Sequence, residues 1–155
     1  MPGKLAKQIK QSKPFHSLEE EAFLNLLRTA DALLQKETAL LETYGVSPAQ
    51  YNALRILRGA GEEGLPCGEI GNRMITRDPD ITRLADRLEK RGFTTRSRES
   101  SDRRVVTVRI TREGLQLLAS LDKPVTDLHR SNLSHLGASN LKIFIELLEK
   151  AREQD

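Results

Sequence analysis

The sequence predicts a mainly α-helical fold with one small β-hairpin, an α+β class in which the hairpin projects from a lobe of short helices. Three observations support this class. Apolar residues recur at helical spacing along most of the 155 residues, the period changes to two around residues 93–110, and a polar run at residues 97–104 interrupts that second pattern. Since such a polar run cannot be buried, it forms a hairpin tip that projects into water or onto a partner.

The chain is organised around a predicted helix in residues 78–92. Asp78 is expected to cap this helix, with Pro79 at the first helical position, where a missing N–H costs nothing. Gly92 ends the helix after a last turn rich in cations. One face of the helix is an apolar stripe made of Ile81, Leu84, Ala85 and Leu88.

Start and stop signals place two short helices before this one. Residues 47–50 have the spacing of a capping box with proline at the first helical position, and the helix that they start ends near Gly59. A second short helix spans residues 67–74, and a tight turn at residues 75–77 leads into the helix of residues 78–92. Two short helices joined by a turn and followed by a hairpin define a winged helix-turn-helix lobe.

Positive charge is concentrated in this lobe. Residues 77–112 contain 11 Lys and Arg against 6 Asp and Glu, a surplus of five, whereas the net charge of the whole chain is only +3. Such a local surplus is typical of a surface that binds a polyanion. Aromatic residues make up only 4% of the chain and Trp is absent, which argues against the base-stacking surfaces that bind single-stranded nucleic acid.

The composition excludes several other classes. One cysteine excludes an internal disulfide and a cysteine-based metal site, and the three histidines show no ligand spacing, so neither a metal nor a cofactor is expected. No arrangement of Ser, His and Asp or of paired carboxylates indicates an enzyme. No apolar run approaches the roughly 20 residues that cross a bilayer, and the N-terminus lacks the apolar segment of a secretory signal. We therefore expect a soluble, cytoplasmic protein that is not an enzyme.

Three segments are expected within one chain-level domain. Residues 1–46 comprise a lysine-rich arm, either solvated and frayed or in contact with DNA phosphates, and then a long apolar-striped helix. That helix is longer than a small lobe requires, which suggests packing against another subunit. Residues 47–110 form the winged helix-turn-helix lobe, and residues 111–155 form C-terminal helices with apolar stripes. The residues expected at the dimer interface are Leu18, Phe23, Leu141, Phe144 and Leu148.

The C-terminal segment contains two helices with clear start signals. Thr111 is a good cap for the first helix, and Gly137 precedes the second. Pro124 lies inside the apolar pattern of the first helix, where proline is expected to kink the helix rather than end it.

Residues 81–93 resemble the recognition helix of MarR-type (multiple antibiotic resistance) transcriptional regulators. The wing pattern is similar too, with Arg96, then Asp-Arg-Arg at residues 102–104, then the helix start at residues 110–114. The resemblance implies a homodimer that recognises a short palindrome in double-stranded DNA, with half-sites about one helical turn, roughly 34–36 Å, apart. It implies too that the C-terminal helices of residues 111–155, like the first long helix, are dimerisation elements. It also implies wings in flanking minor grooves and repression that ends when a small, often aromatic, anion binds.

Candidate DNA-binding residues follow from this resemblance and from the polar face of the recognition helix. Arg83 can donate two hydrogen bonds to guanine, although a phosphate contact or a plain surface cation is an open alternative. Arg77 is expected to bind phosphate, whereas Asp80 would repel phosphate unless it accepts from cytosine or holds an arginine. The full predicted set is Thr76, Arg77, Asp80, Thr82, Arg83, Arg98, Ser100, Arg103 and Arg104.

Other residues are expected to support the site. Asp102 and Arg104 should pair and shape the wing, as the family pattern implies, and Asp86 should tie the recognition helix to its own lobe. By resemblance, an effector pocket would use Thr82 and Arg96. The alternative for Arg96 is a strand residue that supports the wing.

Two alternative functions remain open from the sequence. Asp78 and Asp80 would suit a winged-helix module that binds protein rather than DNA. Cys67 would suit a thiol redox sensor if it were exposed, although its place at the start of a short helix with apolar partners favours a small buried hydrophobe.

Overall fold

The computed structural model describes residues 3–98, 102 and 104–153. Most of these residues are helical and the strands form one small antiparallel sheet, so the predicted α+β class is confirmed. The strands are β1 (Leu65–Pro66), β2 (Thr94–Ser97) and β3 (Thr107–Ile110). The helices are α1 (Lys4–Gln8), α2 (Leu18–Thr43), α3 (Pro48–Ala60), α4 (Cys67–Arg73), α5 (Ile81–Lys90), α6 (Arg112–Leu133) and α7 (Ala138–Arg152).

The chain forms two compact units, Met1–Glu37 and Thr38–Asp155, and α2 runs across the boundary between them. In the first unit, the Ser17 hydroxyl accepts the backbone N–H of Glu20 at 3.0 Å, as the predicted helix start requires. The expectation of a frayed arm is wrong for α1, which is helical and has Leu5 buried. A helix this short is not stable by itself, so burial of Leu5 is what stabilises it.

The core of the second unit lies where α3, α5, β3 and α6 meet. The predicted capping box starts α3, since Ser47 Oγ accepts from the Gln50 N–H and the Gln50 side chain accepts from the Ser47 N–H, both at 3.1 Å. Each fully buried aliphatic side chain contributes about 1.5–3 kcal/mol, so this core fixes the position of α5 and the hairpin. The largest of these side chains are Leu41, Leu54, Leu57, Leu88, Val108, Leu118 and Leu121.

The antiparallel sheet has the order β1–β3–β2, and Val108 in the central strand pairs with Leu65 on one side and Arg96 on the other. The sequence does not predict β1, because two residues show no periodicity and one of them is proline. Gly64 precedes β1 with a φ of +69°, and a Cβ there would lie 2.3 Å from the Val108 carbonyl oxygen. Only glycine permits this approach of the two segments.

The helices after the hairpin start where the sequence predicts. The Thr111 hydroxyl accepts the Gly114 N–H at 3.2 Å and donates to the Gly92 carbonyl at 2.6 Å, so the cap of α6 also holds the exit of α5. α6 continues through Pro124 without ending, and Gly137, with a φ of +79°, precedes α7. Among the helices that the structure describes, none has both the length and the apolar composition to cross a bilayer.

Candidate nucleic-acid interface

The first turn of α5 is held by Asp80. Its carboxylate accepts the backbone N–H of Arg83 at 3.0 Å, which makes Asp80 the N-cap. The prediction of Asp78 as the cap is therefore wrong by two residues, and Pro79 lies outside the helix. The Asp78 carboxylate instead accepts the Asp80 N–H at 2.9 Å, in a turn that precedes the helix. Both carboxylates thus have local structural roles at the start of α5.

The two faces of α5 separate as the sequence predicts. Leu84, Ala85 and Leu88 are buried, whereas Thr82 and Arg83 in the first turns are exposed. Because the buried face fixes the rotation of the helix, the position of the exposed face is fixed as well. This surface can present the Thr82 hydroxyl and the Arg83 guanidinium to base edges in the major groove of DNA.

The turn between α4 and α5 is anchored to α3. The Ile75 backbone N–H donates to Asn52 Oδ1 at 2.9 Å, and Thr76 and Arg77 follow with exposed side chains. At Gly71 in α4, a Cβ would lie 3.0 Å from Ile81 Cγ1, so glycine lets α4 and α5 pack closely. The predicted residues of this turn and of α5 therefore belong to one helix-turn-helix element.

Arg96 on β2 joins the wing to α5. Its guanidinium lies 2.6 Å from the Asp86 carboxylate and 3.1 Å from that of Glu89. The hydrogen bond from Arg96 lowers the pKa of Glu89, and the same bond, with that to Asp86, raises the pKa of Arg96. This geometry confirms that Asp86 ties the recognition helix to its own lobe, and it gives Arg96 the wing-supporting role that was the alternative from the sequence.

The wing has the predicted internal pair. Asp102 Oδ1 accepts the backbone N–H of Arg104 at 3.0 Å and its side-chain Nε–H at 3.2 Å. The Arg98 side chain is exposed. The other two predicted wing residues, Ser100 and Arg103, lie outside the described residues.

Arg109 on β3 is a supporting residue that the sequence patterns do not indicate. Its guanidinium donates to Ser97 Oγ at 2.8 Å and to the Glu62 carbonyl at 3.0 Å. These bonds connect the base of the hairpin to the loop before β1. Alternation along β3 could have placed Arg109 on one face of the strand, but its partners lie far away in sequence.

A cavity of about 270 Å³ lies between α5 and the wing. Thr82 and Arg96 both line it, so the two residues implied by resemblance as ligand-binding do lie at one cavity. The other lining residues are mainly small or aliphatic, and they are Pro66, Cys67, Gly68, Arg104, Val105 and Val106. Its lining thus combines aliphatic side chains with the Thr82 hydroxyl and the guanidinium groups of Arg96 and Arg104.

Cys67 is half-buried at the edge of this cavity. Burial raises the pKa of its thiol, and the nearby Arg96 charge opposes that effect only in part. A raised pKa keeps the thiol protonated at neutral pH, and it is the thiolate that reacts with oxidants. The position of Cys67 therefore fits the predicted small hydrophobe better than a redox sensor.

Comparison with known proteins finds relatives that are transcriptional regulators. A family model described as MarR family matches residues 46–106. A solved MarR transcription factor from Planctomyces limnophilus is 43% identical, with a TM-score of 0.69, and the match covers 88% of this chain and 98% of that one. The HTH-type transcriptional regulator FarR from Neisseria gonorrhoeae is 25% identical over 92% of this chain and 97% of its own length. The PcaV transcriptional regulator from Streptomyces coelicolor, solved with its natural ligand, is 26% identical, with a TM-score of 0.68. The match covers 79% of this chain and 87% of that one.

The anchored turn, the exposed polar face of α5 and the hairpin define a winged helix-turn-helix DNA-binding protein. The likeness to the Planctomyces limnophilus factor extends over nearly the whole of both chains at 43% identity. The chain belongs to the MarR family of transcriptional regulators.

Proposed function

We propose that this protein is a homodimeric, sequence-specific repressor that releases DNA when a small ligand binds. The observation that supports this most directly is the fixed exposure of Thr82 and Arg83 on α5, whose opposite face is in the core. In this function α5 enters the major groove, with Arg83 donating to a base edge and Arg77 to phosphate. Arg98 in the wing contacts the adjacent minor groove, where a narrow A·T-rich groove attracts arginine.

Dimerisation is supported by apolar side chains that each unit leaves in water. Leu18 and Phe23 on α2 are mostly exposed, and α7 exposes Ile145 and Leu147. The other residues expected at the interface, Leu141, Phe144 and Leu148, are partly exposed on α7. A second copy of the chain would remove such surfaces from water. Two copies would also place two recognition helices on one duplex, as a palindrome requires.

The ligand part of the proposal rests on the cavity between α5 and the wing. The Thr82 hydroxyl can hydrogen-bond a ligand there, and Arg96 can pair with an anionic group. A carboxylate ligand would compete with Asp86 and Glu89, which already hold Arg96. Binding would then weaken the connection of the wing to α5, and the ligand would favour an arrangement that does not fit DNA. PcaV, which is 26% identical, has been solved in complex with its natural ligand, and this supports a ligand-responsive regulator.

The first test of this function is a gel-shift titration of the full chain. One duplex comes from the promoter upstream of its own gene, and a scrambled duplex of equal length is the control. The promoter duplex should bind more tightly, and its affinity should fall by about 10³-fold or more between roughly 50 and 200 mM salt. Equal affinity for both duplexes at both salt concentrations would contradict sequence-specific binding.

The dimer and the repression are tested separately. Sedimentation at the concentrations used for the gel shift should show a dimer, and a monomer that still binds the promoter would contradict the assembly. In a transcription assay on the same promoter, added protein should reduce the amount of transcript. An increase would show that the protein activates instead.

A further inference from the structure

Ile75 is an aliphatic residue that the fold leaves in water. Its side chain is 90% exposed, the largest value among the exposed large hydrophobic residues that the structure describes. It lies in the turn between α4 and α5, between Met74, which packs against the core, and the exposed residues Thr76 and Arg77. No packing requirement within the lobe accounts for a branched apolar side chain at this position.

Hydrogen bonds anchor the backbone of the turn that carries Ile75. Its backbone N–H donates to Asn52 Oδ1 at 2.9 Å, and the preceding Met74 N–H donates to the Gly71 carbonyl at 3.4 Å. These bonds tie the turn to α3 and to α4. The backbone of the turn is thus held against α3 and α4, which lowers the ordering cost that a mobile loop would add on binding.

The surroundings of Ile75 indicate what it meets. It borders an open cleft that is also lined by the amide of Asn72, the guanidinium of Arg77 and glycines of α4. The Asp78 carboxylate lines the cleft too, and it already accepts the Asp80 N–H. Amide and guanidinium groups suit phosphates and base edges. In the major groove, the one apolar group that base pairs present is the C5 methyl of thymine. An exposed aliphatic side chain among these polar groups is complementary to that methyl.

We propose that Ile75 contacts the C5 methyl group of a thymine in each operator half-site and so contributes to sequence specificity. The proposal rests on the proposed DNA-binding function and adds a specificity-determining residue outside the recognition helix. It differs from the base contact of Arg83 because it requires no hydrogen bond. Removing the methyl group alone should therefore reveal it.

The test replaces thymine by uracil, which lacks only the methyl group. A duplex is first selected by the wild-type protein from a random-sequence library, and each thymine is then replaced singly by deoxyuridine. At one position per half-site the wild-type affinity should fall about four-fold, the effect expected for one buried methyl-sized group. The Ile75→Ala variant should bind the original duplex less tightly and be indifferent to uracil at that position. The Ile75→Val variant should keep part of the sensitivity.

A control variant separates this effect from general loss of apolar surface. Leu115→Ala, in the first turn of α6, removes another partly exposed aliphatic side chain and should keep the wild-type response to uracil. Selection of no duplex at all would remove the DNA-binding function and this inference with it. Tight binding with no uracil-sensitive position, or sensitivity that persists in Ile75→Ala, would overturn the inference and leave the DNA-binding function intact.

Discussion

The guanidinium of Arg96 on β2 lies 2.6 Å from the carboxylate of Asp86 on α5, so an ion pair joins the wing strand to the recognition helix. Glu89, one turn further along α5, holds the same guanidinium at 3.1 Å. One cation is thus shared by two carboxylates on the helix that presents Arg83. Because Arg96 also lines the cavity, a ligand there would act on the connection that sets the position of the wing.

We expect Arg96→Ala to lower the free energy of unfolding by about 1 kcal/mol, since two partly exposed ion pairs are lost at roughly 0.2–1 kcal/mol each. Urea unfolding at pH 7 measures the change. Arg104→Ala is a matched control in the wing, with little effect expected because its side chain is 91% exposed. A variant as stable as the wild type would show that the Arg96 pairs do not stabilise the fold.

The same cluster predicts a dependence on pH. Arg96 lowers the pKa of Glu89 below its ordinary value of 4.5, so the pair stabilises the fold above about pH 4.5 and this contribution is lost as pH falls through the lowered pKa. The free energy of unfolding of the wild type should exceed that of Glu89→Gln by about 0.5 kcal/mol at pH 7. The difference should shrink at acidic pH in paired urea titrations. A difference that grows on acidification would have the wrong sign for this pair.

Replacing Arg83 tests the assigned base contact. The Arg83→Ala variant should lose about 1–3 kcal/mol of discrimination between operator and scrambled duplex, if the guanidinium donates to guanine. Competition gel shifts give the ratio of the two affinities. Lys90 is an exposed cation in the last turn of the same helix. The Lys90→Ala variant should bind both duplexes less tightly by the same factor, or bind both as the wild type does. An Arg83→Ala protein that keeps the wild-type ratio would leave this residue as a phosphate or surface cation.

Helix starts could be predicted from the sequence where one local signal acts alone. Ser47 and Thr111 each cap the helix that follows, because a side-chain oxygen needs only the N–H groups of the next turn. Where two possible caps lie close together, the sequence pattern predicted the wrong one. Asp78 and Asp80 both precede the helix, and Asp78 followed by proline matches the usual start pattern. The helix starts at Ile81, which packs against the core, and the Asp78 carboxylate closes the turn before it.

Long-range contacts could not be predicted. β1 exists because residues 65–66 pair with residues 107–108, and neither segment alone indicates this. Arg109 bonds to Glu62 for the same reason, since the two residues meet only after the sheet forms. The family resemblance predicted that Thr82 and Arg96 line one pocket, but it did not indicate that Asp86 and Glu89 already bind the arginine. The resemblance therefore identified two of the eight residues that line the cavity, but not the ion pairs that Arg96 makes there.

Glycine at position 64 should be required for the sheet. In Gly64→Ala, the new Cβ would lie 2.3 Å from the Val108 carbonyl at a φ of +69°, so steric overlap and backbone strain add. We expect a loss of at least about 2 kcal/mol. Gly59→Ala is the matched control, because its Cβ would meet nothing within 4 Å inside α3. There the helix should gain up to about 1 kcal/mol, and equal effects of the two substitutions in thermal unfolding would contradict the assigned clash.

Two substitutions of Asp80 separate its capping role from its charge. Asn caps a helix as well as Asp does, so Asp80→Asn should keep the stability of the lobe, whereas Asp80→Ala should lose about 1 kcal/mol with the cap. Removing the carboxylate also removes repulsion from phosphate, so Asp80→Asn should bind operator and scrambled duplexes more tightly by a similar factor, most visibly at low salt. If Asp80 instead accepts from cytosine N4, Asp80→Asn will bind the operator less tightly while its affinity for the scrambled duplex does not fall. Gel shifts with both duplexes distinguish the two outcomes, because a pure charge effect carries no sequence information.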